Sequence, residues 1–149
     1  MAVGVSTSVD GGRGLRYHRR MPTKRSHVRV HAAADTVWSL IRDPQRWPWF
    51  PELGEMTMDG DRRHVTLPSG LPIVERIVTV DDALRRFQYE IVDNFVISDH
   101  LSTIDVIDLE DGTCLVTYSL EIKPDAMAII IGYVTGRAIH NLRDLVEGK

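Results

Sequence analysis

One stretch near the C-terminal end constrains this chain more than any other. A strand pattern from Thr113 to Ile122 runs into Pro124, and an apolar helix pattern follows from about Asp125 to Val146. On a 3.6-residue period Met127, Ile131, Val134, Ala138, Leu142 and Leu145 fall on one face. Ahead of this helix lie one short helix pair and about seven strand patterns. One helix cannot fill the concave face of so large a curved sheet. The pattern therefore predicts a cavity between sheet and helix, and places the function there.

A chain of 149 residues points to one domain with a sizeable core. The formal net charge of −3 argues against nucleic acid as a partner of the whole chain. No apolar run approaches the roughly 20 residues that span a bilayer, so stable membrane insertion is not expected. The single Cys114 excludes an internal disulfide and a cysteine-based zinc pattern, and suggests a cytoplasmic protein. Residues 1–25 are rich in Gly, Ser and Arg and lack apolar periodicity, which reads as a flexible tail ahead of a domain over residues 26–149. Its basic cluster of Arg13, Arg16, Arg19, Arg20, Lys24 and Arg25 is expected to be solvated, and Met21 is an alternative start.

Ser26 to His31 alternates as a first strand. Ala33 to Arg42 is helical, with Ala34, Val37, Trp38 and Ile41 in one stripe and Asp35 in the first turn, where negative charge is favoured. Asp43-Pro44 ends it, and Gln45 to Leu53 is a second short helix or loop rich in Trp and Pro. Glu55 to Asp59, Arg62 to Leu67, Leu71 to Val80, Arg85 to Val92, Ile97 to Leu109 and Thr113 to Ile122 read as strands. The Pro68-Ser69-Gly70 turn sets Val65 against Ile73 and Arg63 against Glu75. A three-residue loop after Val80 would set Phe87 against Ile77 and Tyr89 against Glu75. Glu110-Asp111-Gly112 sets Ile104 against Tyr118 and Ser102 against Leu120.

The order strand, two short helices, antiparallel strands, long helix is that of the α+β helix-grip fold. Val28-x-Val30-x-Ala32, Asp35-Thr36-Val37-Trp38, Ile41-x-Asp43 and Trp47-x-Trp49-x-Pro51 resemble the opening of the START-like superfamily. The likeness is to its polyketide cyclase/dehydrase and lipid-transport branch. It continues through Gly60-x-x-Arg63, Glu75-Arg76-Ile77, Phe87-x-Tyr89-x-Ile91, Gly112-Thr113-x-x-Val116-x-Tyr118 and Pro124. The resemblance implies a cavity for hydrophobic or aromatic molecules, in a carrier, a sequestering protein, or a cyclase, aromatase or dehydratase. It supplies no invariant catalytic triad.

Several residues are candidates for the polar end of such a cavity. Glu75 lies in phase with Ile73 and Ile77 and so points inward, where burial would raise its pKa and fit it for proton donation. Arg63, its cross-strand partner, could instead hold it in a structural ion pair. Tyr89 and Tyr118 also face inward, either as core or as handles on a ligand oxygen. His100, with Ser102 on the same face, is read first as a satisfied or edge-exposed histidine, and otherwise as a base near neutral pH. Val134, Ala138 and Asn141 on the long helix complete the expected ligand contacts with Trp49, which together with Trp47 and Phe50 either clamps a flat ligand at the cavity mouth or plugs the end of the barrel as core. Glu75, Tyr89 and His100 are the candidate catalytic residues, should the protein be an enzyme. His27 and His31 share a strand face but lie about 13 Å apart, and with no third ligand placed neither a metal nor another cofactor is expected. Ile129 to Gly136, with two helix-weakening glycines, is read as a mobile gate, a dimer contact or a membrane-touching surface. The expected state is a monomer or homodimer. The leading expectation is a carrier or sequestering protein for an aromatic, polyketide-like or lipid-like molecule, with a polyketide cyclase as the alternative.

Overall fold

A computed structural model of the chain describes residues 21–149. Period-two alternation produces seven strands: β1 Thr23–Val30, β2 Glu55–Asp59, β3 Arg62–Thr66, β4 Pro72–Asp81, β5 Arg86–Val92, β6 Asp99–Asp108 and β7 Cys114–Lys123. They form one antiparallel sheet in the order β1-β7-β6-β5-β4-β3-β2. Helix α1, Ala34–Ile41, follows β1, and helix α2, Asp125–Glu147, follows β7 and packs on β1 and β7. This is the helix-grip arrangement of an α+β protein.

The expected tail ends sooner than Arg25. Thr23, Lys24 and Arg25 already pair with Glu121, Leu120 and Ser119, because β7 is long enough to take β1 three residues further. The tail arginines Arg13, Arg16, Arg19 and Arg20 lie outside the described residues. The expected second helix over Gln45 to Leu53 shrinks to a single 3-10 turn, Pro51–Leu53. Pro44, Pro48 and Pro51 remove three backbone donors from this segment and push each preceding residue away from helical geometry.

Two of the three expected hairpin registers hold. Arg63 pairs with Glu75 and Val65 with Ile73. Ile104 pairs with Tyr118 and Ser102 with Leu120. Between β4 and β5 the register differs: Ile77 faces Tyr89, Glu75 faces Ile91, and Val80 rather than Ile77 faces Phe87. The connection there runs from Asp81 to its partner Arg86, with Arg85 in the left-handed region at φ 51°. A four-residue loop would turn every side chain of β5 to the wrong face. A bulge between Ile77 and Thr79 restores the phase, so Phe87 and Tyr89 still point inward.

The inward faces of β1 and β3–β7 meet α1 and α2 in one core, including Val28, Val30, Val37, Trp38, Phe87, Ile104, Val116 and Leu142. The buried stripe of α2 is Ala128, Thr135, Ala138, Ile139 and Leu142. Leu145, expected inside, is 52% exposed, because the buried stripe is turned about the helix axis toward Ile139, on the opposite flank. Gly132 and Gly136 have a packing reason that sequence did not reveal. A Cβ at Gly132 would sit 3.0 Å from Lys24 Cγ, and one at Gly136 2.8 Å from Ser26 Oγ, so both glycines let α2 lie close on β1.

Candidate functional site

Two hollows flank the same pair of residues. The inner one, of about 180 Å³, lies between the sheet and α2. Its walls are largely apolar: Phe50, Leu53, Leu67, Ile73, Ile91, Ile131 and Val134. The polar groups in that wall are Glu52, Glu75, Tyr89, His100 and Thr135. The outer hollow, of about 380 Å³, is an open cleft lined by Glu90, Asp93, Asn94, Ser98 and Asp99 among others, and shares Ile91 and His100 with the inner one. The larger volume belongs to the wetter, more open space. The inner cavity is the candidate site, because ligand burial needs apolar walls with a few convergent polar groups.

Strand geometry delivers those groups. Glu75 on β4 and Tyr89 on β5 point inward by alternation, and His100 and Ser102 do so on β6. Strands β5 and β6 pair only from Arg86–Asp105 to Tyr89–Ser102 and then part. At the fork the His100 ring replaces the missing ladder. Its Nδ1 accepts the Ile91 N–H at 2.9 Å, and its Nε2 lies 2.9 Å from Ser102 Oγ. The first bond places the ring proton on Nε2, which therefore donates to Ser102. Burial lowers the His100 pKa to about 4. Both ring nitrogens are thus engaged, and the neutral ring has no free acceptor with which to serve as a base.

Arg63 and Glu75 form a fully buried pair, with Arg63 Nε donating to Glu75 Oε2 at 2.6 Å. Arg63 Nη1 donates to the Pro44 carbonyl at 3.2 Å, while Nη2 has no hydrogen-bond partner among the described residues. The guanidinium stacks 4.0 Å from the Trp47 ring centroid, which holds the cation by its quadrupole as well as by its bonds. Burial raises the Glu75 carboxyl above its ordinary range, and the charge and hydrogen bond of Arg63 oppose that rise. Tyr89 and Tyr118 join hydroxyl to hydroxyl. Burial, with the Glu75 charge second, pushes the Tyr89 phenol up to about 12, while Arg63 and hydrogen bonds from Ser102 and Tyr118 act the other way. Burial also lifts Tyr118 well above the usual phenol range.

The ten residues expected to contact a ligand therefore fall into three sets. Glu75, Tyr89, His100 and Val134 line the cavity. Arg63, Ser102 and Tyr118 stand behind it, each bonded to one of the polar lining residues. Trp49, Ala138 and Asn141 lie outside the wall. The Trp49 ring is buried with Trp47 and Phe50 and donates to the Leu40 carbonyl at 2.9 Å, Ala138 is core, and Asn141 is half-buried further along α2. Phe50, part of the expected aromatic clamp, lines the cavity, while Glu52, Leu53, Leu67, Ile73, Ile91, Ile131 and Thr135 were missed as lining. The inward phase of Ile73 and Ile91 with Glu75 and Tyr89 was the available signal for two of them. Among the described residues no group of three or more His, Cys, Asp or Glu is placed to hold a metal ion. No described helix is long and apolar enough to cross a membrane.

Comparison with known proteins agrees with this architecture. An uncharacterised protein from Bacillus thuringiensis is 26% identical with a TM-score of 0.77, over 84% of this chain and 98% of that one. The protein XoxI from Bacillus cereus is 26% identical with a TM-score of 0.76, over 85% of this chain and 96% of that one. A START superfamily protein from Mycobacterium smegmatis, 15% identical with a TM-score of 0.62 over 85% of this chain and 94% of that one, shares the fold. No curated protein matches the chain. The model of the family described as polyketide cyclase / dehydrase and lipid transport matches residues 21–147, and the chain belongs to that family.

Proposed function

We propose that this protein binds an apolar small molecule in the cavity between its sheet and α2, and that it carries or sequesters that molecule. The observation that supports this most is the contrast within the cavity wall: an apolar lining with Glu75, Tyr89 and His100 converging on one side. Burial of ligand surface would supply roughly 25 cal/mol per Å² of apolar area, less the costs of association. The polar groups would orient the molecule. The net charge of −3 and the lone cysteine favour a cytoplasmic monomer or homodimer without a nucleic-acid partner.

The test is native mass spectrometry of protein purified gently from its own cells, followed by denaturing extraction. A stoichiometric apolar adduct is expected. Protein that stays empty, and that also fails to take up apolar aromatic probes, would sink the reading.

A second reading, a cyclase or dehydratase, is favoured by one observation. Glu75 lines the cavity, is bonded through Oε2 alone, and has a raised pKa, as a general acid needs. Glu75→Gln should abolish turnover in such an enzyme and only alter affinity in a carrier.

A further inference from the structure

The direction of the hydrogen bonds behind the cavity can be worked out, and it bears on what the ligand must carry. His100 Nδ1 accepts from the Ile91 N–H, so the Nε2 proton points at Ser102 Oγ. Ser102 is thereby engaged as the acceptor of the His100 proton. Tyr118 is buried, lies outside the cavity lining, and has the Tyr89 hydroxyl as its hydrogen-bond partner. If Tyr89 donated to Tyr118, the Tyr118 hydrogen would be stranded in the core, which costs more than a neutral hydrogen bond returns. Tyr118 therefore donates to Tyr89. The Tyr89 oxygen then accepts from Tyr118 and keeps one hydrogen of its own. Glu75 bonds to Arg63 and not to Tyr89. That hydrogen belongs to a residue of the cavity wall.

We infer that the cavity selects a neutral apolar molecule bearing one hydrogen-bond acceptor oxygen, a ketone or quinone carbonyl, which the Tyr89 hydroxyl holds. This rests on the binding reading above and narrows it to a ligand class. A carboxylate head is disfavoured in the same cavity. Glu52 and Glu75 stand in its wall, and Arg63, the buried cation, lies behind that wall with Nε on Glu75 and Nη1 on the Pro44 carbonyl.

The experiment compares 1-tetralone with tetralin, near-isosteric molecules that differ by the carbonyl oxygen, using displacement of an apolar fluorophore. The wild type is expected to bind the ketone about five- to tenfold tighter, the worth of one neutral hydrogen bond. Tyr89→Phe should erase the preference while tetralin binding persists. Tyr118→Phe leaves the Tyr89 hydrogen free and should keep the preference, which a merely structural loss would not do. The ketone's carbonyl stretch should move to lower frequency on binding to the wild type and not to Tyr89→Phe. Equal affinity for the two probes, a preference that survives in Tyr89→Phe, or one that disappears in Tyr118→Phe overturns the inference. Failure of both probes to bind the wild type overturns the cavity reading itself.

Discussion

Lowering the pH should weaken this protein through one side chain. His100 has an ordinary value of 6.5 in the unfolded chain and about 4 in the folded one, where burial disfavours its charge. Above pH 6.5 the ring is neutral in both states and contributes nothing. As pH falls from 6.5 toward 4, the unfolded chain takes up a proton that the native protein refuses, and stability is lost. Below 4 both states are charged and the loss levels off. The ceiling is about 3 kcal/mol, and about 2 kcal/mol of it should be gone by pH 5. The structure supplies the reason: a protonated Nδ1 could no longer accept the Ile91 N–H at the fork between β5 and β6. Glu75 acts in the opposite sense, because a carboxyl raised by burial gains protons in the native state first as pH falls. The assay is therefore a difference between variants. Urea unfolding of the wild type and of His100→Gln, which retains an acceptor, is measured at pH 7 and pH 5. The wild type should lose about 2 kcal/mol more than the variant, a midpoint difference of about 1 M urea. Equal losses in the two proteins would refute the reasoning.

Further outcomes follow from the same geometry. Arg63→Met strands the Glu75 carboxyl and should cost about 3–5 kcal/mol in urea unfolding, most of it recovered when Glu75→Leu is added. Gly136→Ala made in a Ser26→Ala background removes the close approach to Ser26 Oγ. It should raise stability by about 1 kcal/mol, or Tm by about 2–4 °C, whereas a loss would show that the helix cannot keep its distance from β1. Val134→Phe fills the cavity and should abolish uptake of 1-tetralone with Tm maintained. Cys114 is fully buried, so its reaction with Ellman's reagent should track global unfolding, and fast labelling of native protein would contradict the packing.

What could be read from sequence depended on how each turn announces itself. Pro68-Ser69-Gly70 and Glu110-Asp111-Gly112 carry glycine where the chain needs a positive φ, so the β3–β4 and β6–β7 registers followed from local chemistry. The β4–β5 turn places Arg85 in the left-handed region, which no residue preference signals, and the bulge after Ile77 is equally silent. Glu75 and Tyr89 were nonetheless found on the inner face, because loop and bulge together shift β5 by an even number of residues. Arg63 was found through its register. The role of His100 was not legible. Its neutrality comes from burial and from a backbone N–H freed where two strands diverge, and neither is local in sequence. The packing role of the glycines at 132 and 136 was not legible for a similar reason, since their partners Lys24 and Ser26 are on β1.

The strand order also carries a consequence for how the molecule is made. Among the described residues β1 pairs with β7 alone, and residues that meet across that seam, such as Arg29 and Thr113, are 84 positions apart. A ribosome releasing about 5–20 residues per second would expose β1 for several seconds before its partner exists. During that interval β3 to β6 can assemble hairpin by hairpin, yet their apolar face has no α2 to cover it. The nascent chain thus displays an open form of the binding surface before the cavity closes. A ligand or chaperone present at that stage would meet a shallow apolar trough, and what the finished protein contains could be decided while it is still being synthesised.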